Sequence, residues 1–166
     1  DATFTAGNNL SLTAGTSLTA NHSTVTATTG KATIKANGGD LSMNASTITA
    51  NTSVTGTASG AVLFDGSAAT AGTDLSLTAG AALTGTDATF TAGNNLSLTA
   101  GTSLTANDST VIATAGSATI KANGGDLSMN VSTITANTSV TGTASGAMLL
   151  DASTATAGTD LSLSAG

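Results

Sequence analysis

The side chains able to do acid–base or metal chemistry are few and scattered. The 166 residues hold one histidine, His22, nine acidic residues that are all Asp, three basic residues, Lys31, Lys35 and Lys121, and no cysteine. A histidine acts as a base or ligand only with partners beside it. His22 recurs 86 residues later as Asp108, so it reads as a solvated corner residue. Asp40 and Asp126 are also 86 residues apart. If four strand spacings separate them, they lie about 19 Å from each other, whereas carboxylate pairs in catalysis sit about 5–10 Å apart. The remaining aspartates, among them Asp65, Asp74, Asp151 and Asp160, are spread in the same way. No enzyme activity is expected: no catalytic residue, no cofactor-binding residue and no metal ligand is assigned.

Composition excludes further classes. Three Lys and no Arg in a chain of formal net charge −6 provide no basic face for nucleic acid, which needs many phosphate contacts. No run of eighteen apolar residues offers a membrane span. Charged residues make up 7%, against about 25% in an ordinary domain, so Lys35 and Lys121 read as solvating groups on a strand face. Disorder goes with low hydrophobicity or high net charge; a mean hydropathy of +0.26 and 39% apolar residues point instead to a packed core. Asn37-Gly38-Gly39-Asp40 has the look of a calcium turn but lacks the G-G-x-G-x-D nonapeptide, and reads as a plain turn.

What positions these residues is a repeat on two scales. DATFTAGNNLSLTAGTSLTAN begins at Asp1 and again at Asp87, and residues 1–80 differ from 87–166 only at 22, 26, 29, 31, 45, 62, 64, 66, 68 and 78. Super-repeat 1 is thus 1–86 and super-repeat 2 is 87–166, truncated. Each unit divides into four coils starting at Asp1, Ser23, Ser46 and Ser67, a mean of 86/4 or about 21.5 residues. Aligned, the coils give seven apolar or Gly columns. One runs Phe4, Val25, Ile48, Ala69; another Leu10, Ala32, Val54, Leu75; another Ala20, Met43, Phe64, Gly85. Steps of two within a coil are strands with one buried face. Longer steps carry corner residues such as Gly7-Asn8-Asn9, Asn21, Asn44 and Asp65, types that accept turn geometry. Three strands and three corners per coil predict an all-β fold, a right-handed parallel β-helix, with about 4.8 Å of rise per coil and a rod of roughly 35–40 Å. Since the pattern begins part-way through, residues 1–166 are expected to be one segment of a longer array, with no signal peptide at Asp1.

The phrases AGNNLSLTAGTSLTAN, ANGGDLSMN and AGTDLSLTAG resemble the filamentous haemagglutinin-type repeat regions of two-partner-secreted bacterial exoproteins, adhesins and contact-dependent inhibition stalks. The resemblance covers the whole chain. It implies secretion to the cell surface of a Gram-negative bacterium, a β-helical fibre, and binding or toxin activity located in other regions. The function expected is a structural rod or fibre-forming segment. Its partners would be neighbouring repeats, through end-to-end or lateral self-association, with a receptor met by other parts of the protein.

Three surface features compete with that expectation. The outward places of the first strand in each coil are Thr in fourteen of sixteen cases, interrupted by Ala68 and Ile112; a flat T-x-T array is what ice-binding β-solenoids use, although Thr is also the ordinary exposed strand residue. N-x-S sequons stand at Asn9, Asn21, Asn44, Asn51, Asn95, Asn107, Asn130 and Asn137, as expected from composition alone or as glycosylation sites. Leu63 and its repeat Leu149 face outward as lateral-contact candidates or simple exposed leucines.

Overall fold

The computed structural model describes residues 1–166 and contains strands and turns but no helix. Twenty-three short strands form three parallel sheets, each built by taking every third strand along the chain. The first sheet stacks Thr3–Ala6, Thr24–Ala27, Thr47–Ala50, Ala68–Ala71, Thr89–Ala92, Thr110–Ala113, Thr133–Ala136 and Thr154–Ala157. The second begins at Leu10–Ala14 and ends at Leu161–Ala165, with eight strands; the third begins at Leu18–Asn21 and ends at Met148–Asp151, with seven. The chain is therefore a three-sided β-solenoid of about eight coils.

Register follows the columns. Phe4 pairs with Val25, Val25 with Ile48, Ile48 with Ala69 and Ala69 with Phe90. The last of these pairings crosses the boundary between super-repeats with no break in the ladder. Of 120 backbone hydrogen bonds, 53 lie outside the strand ladders, so the corners stack from coil to coil as the strands do. This satisfies the turn backbone, which a single coil leaves open.

Forty buried apolar residues form one core along the axis. Of the 28 inward positions in super-repeat 1, 23 are buried; the five others, Phe4, Ala6, Leu12, Ala14 and Leu18, all belong to the first coil, the outermost layer of the residues described. Leu161 and Leu163 in the last coil are exposed for the same reason. Small inward residues complement large ones in the adjacent layer. A Cβ on Gly56 would stand 2.6 Å from Leu77 Cδ2, and one on Gly142 would stand 2.7 Å from Leu163 Cδ2. Phe64 and Phe90 meet edge to face, with ring centroids 5.2 Å apart, a favourable aromatic geometry.

The third corner differs from the expected one. Asn21, Asn44 and Asp65 are the last residues of their strands, and the chain turns on the single residue that follows. His22, Ala45, Gly66, Asp87, Asp108, Val131 and Ala152 all have φ between 46° and 54°. Six of these seven are not glycine, in a region that L-residues enter at a cost. Stacking holds them there, because each coil repeats the turn directly above the last.

Candidate functional site

Among the titratable groups the turn residues Asp87 and Asp108 are stacked in successive coils, and no three His, Cys, Asp or Glu side chains approach as a metal site would require. His22 and Asp108 are exposed turn residues of the third corner. Several carboxylates are occupied by backbone. Asp40 Oδ1 accepts the N–H of Ala61 at 2.8 Å, and Asp126 Oδ1 accepts that of Ala147 at 2.8 Å. Asp74 Oδ1 accepts the N–H of Asn95 at 3.1 Å, and Asn9 Oδ1 accepts that of Lys31 at 3.0 Å. A corner carboxylate or amide thus holds the N–H one coil further on. Asn37-Gly38-Gly39-Asp40 is a turn whose acid already has this structural task.

Sequence reasoning missed an eighth inward column. Ser23, Ser46, Ser67, Ser109 and Ser132 are buried and form a ladder through the third corner. Ser46 Oγ accepts the N–H of Ser23 at 3.0 Å and donates to the carbonyl of Asn44 at 2.9 Å. Ser67 repeats this with the N–H of Ser46 and the carbonyl of Asp65. Ser132 and Ser153 do so for the N–H groups of Ser109 and Ser132. Ala88 interrupts the column: it offers no hydroxyl to Ser67, while its own N–H reaches Ser109 Oγ at 3.3 Å. The signal lies in the recurrence of Ser two places after Asn or Asp, at 23, 46, 67, 109, 132 and 153.

That ladder also accounts for half of the sequons. In those at Asn21, Asn44, Asn107 and Asn130 the serine is the buried ladder residue, with its hydroxyl bonded to the carbonyl of the sequon asparagine itself. Asn95 uses both Oδ1 and Nδ2, toward Ser117 and Asp74.

The faces are regular. On the first sheet Thr3, Thr24 and Thr47 are neighbours in one ladder and Thr5, Thr26 and Thr49 in a second, with Ala68 and Ile112 interrupting at their expected registers. The second sheet presents Ser, Thr, Lys35 and Lys121 outward. The third presents Leu63 and Leu149, 38% and 57% exposed, beside Asp65 and Asp151. Val131, in its turn, is 53% exposed. A cavity of about 450 Å³ lined by Phe4, Leu12, Leu18 and Ala20 opens at the first coil. Phe90, Leu98, Leu104 and Ala106, one super-repeat on, are buried under neighbouring coils, so this cavity is the open face of the inward columns at the first coil described. Compared with protein-family models, curated proteins and solved structures, the chain finds no match in any of the three.

Proposed function

We propose that this chain is a structural rod or fibre-forming segment of a secreted bacterial surface protein and has no catalytic role. The observation that carries this reading is the unbroken stacking across the super-repeat boundary, where Ala69 pairs with Phe90 and Leu75 with Leu96. A unit that continues into its own copy without change of register extends to any length. Each added coil buries the face of the one before and lengthens the ladders, which is the mechanics of a solenoid. The sequence resemblance to haemagglutinin-type repeats supports export and a place on the cell surface. Immunogold electron microscopy of the native protein, with antibody raised against this chain, tests the proposal. Labelled thin fibres at the cell surface are expected; labelled compact particles, or label confined to the cell interior, would contradict it.

A second reading is favoured by one observation. The paired threonine ladders of the first sheet are uncharged and regularly spaced, a surface able to order water. If it binds ice, the purified chain inhibits ice recrystallisation and Thr49→Lys, which plants a charge in the array, abolishes the effect. Equal inactivity of both proteins ends this reading.

A further inference from the structure

We infer that rods of this chain bundle side by side, the second sheet of one copy seated on the third sheet of another. The inference rests on the rod reading and names the faces through which rods meet. Only four charged residues lie within strands: Lys35 and Lys121 on the second sheet, Asp65 and Asp151 on the third. Each pair is separated by 86 residues (121 − 35 and 151 − 65), and each charge takes the second outward place of its strand. The cations and the anions are therefore spaced alike, four coils or about 19 Å apart. The first sheet carries no charge at all.

When two rods lie antiparallel with these sheets in contact, the second outward columns face each other. Lys35 then meets Asp151 of the other copy and Lys121 meets Asp65, both at once, with all seven strands of the third sheet lying on strands of the second. The first outward columns also coincide, so Leu63 and Leu149 lie against the column that contains Thr33 and Thr119, and their exposed side chains are covered. An overlap seven strands long and four or five residues wide has about 500 Å² on each partner, near 1,000 Å² in total, the least a specific interface needs. Because each copy offers both faces, the contact is heterologous and open. In a longer array it recurs every super-repeat, so that weak contacts add.

Sedimentation velocity of the full chain, with three charge variants, tests this. The unaltered chain is expected to form side-by-side assemblies at low salt and to separate into single chains near 1 M salt, where charges are screened within about 3 Å. Lys35→Glu with Lys121→Glu makes both faces acidic, and Asp65→Lys with Asp151→Lys makes both basic; each double variant alone should lose assembly. An equimolar mixture of the two should regain it, since every acidic face then has a basic one. The four side chains point outward, so an unchanged circular dichroism spectrum verifies folding in each variant. Assembly of either double variant to the extent of the unaltered chain, or failure of the mixture to assemble, would overturn the inference. Single unbundled fibres in the immunogold images would overturn bundling alone, whereas absence of fibres would overturn the rod.

Discussion

At the scale of the residue, the fold depends on a turn made by one left-handed residue followed by a buried serine. The turn residue is His, Ala, Gly, Asp or Val, so no residue preference betrays it in the sequence; position, imposed by the coils on either side, does the selecting. Removing the Ser46 hydroxyl leaves the buried N–H of Ser23 without its acceptor, so Ser46→Ala should cost about 1–3 kcal/mol, read from the denaturation midpoint at unchanged m-value. Val131 is β-branched at φ 51°, a conformation costing roughly 1–2 kcal/mol. Val131→Gly should raise stability by about 1 kcal/mol despite glycine's larger unfolded-state entropy, whereas a loss would show that the turn is not strained. The serines themselves were legible as coil boundaries. Their inward aim was not, because nothing in composition distinguishes a bonded buried hydroxyl from a solvated one.

At the scale of the strand, alternation carried most of the information. Period-two apolar steps identified which face of each strand is buried, and the exceptions lie in the outermost layers described, where an open layer rather than a wrong face exposes Phe4, Leu161 and Leu163. The corner expected around Asn21 was misplaced because a five-residue gap between inward apolar residues, Ala20 to Val25, hides the inward Ser23. The two inward differences between super-repeats fall on one strand: Val62 becomes Met148 and Phe64 becomes Leu150. One change enlarges and the other shrinks, and the strand's total volume is nearly kept, the pattern that packed cores tolerate best. Phe64→Leu alone should therefore destabilise by about 1–2 kcal/mol, and Val62→Met alone by about 1–3 kcal/mol through overpacking. The double variant should cost clearly less than their sum in a double-mutant cycle. Strict additivity would mean that the two side chains do not share space.

At the scale of the molecule, repetition is a physical requirement. A coil of about twenty residues buries three or four large side chains and cannot by itself offset the entropy of ordering its backbone; neighbours complete both the core and the ladders. The three-sided architecture, the coil length and the outward faces could be read from the columns, because a one-residue slip would turn every apolar side chain outward. Function is less legible, since a rod's work is done by continuity and not by a constellation of side chains. The central claim is the register of successive coils, and with no native cysteine it can be tested by placing two. Thr26 and Thr49 are direct partners on adjacent strands, about 4.8 Å apart and within disulfide reach. Thr26 and Thr47 are two residues out of register, about 8 Å apart, and beyond it. Mild oxidation should close an intramolecular disulfide in Thr26→Cys/Thr49→Cys and leave Thr26→Cys/Thr47→Cys reduced; equal closure in both, or closure only in the second, would contradict the stacked-coil structure.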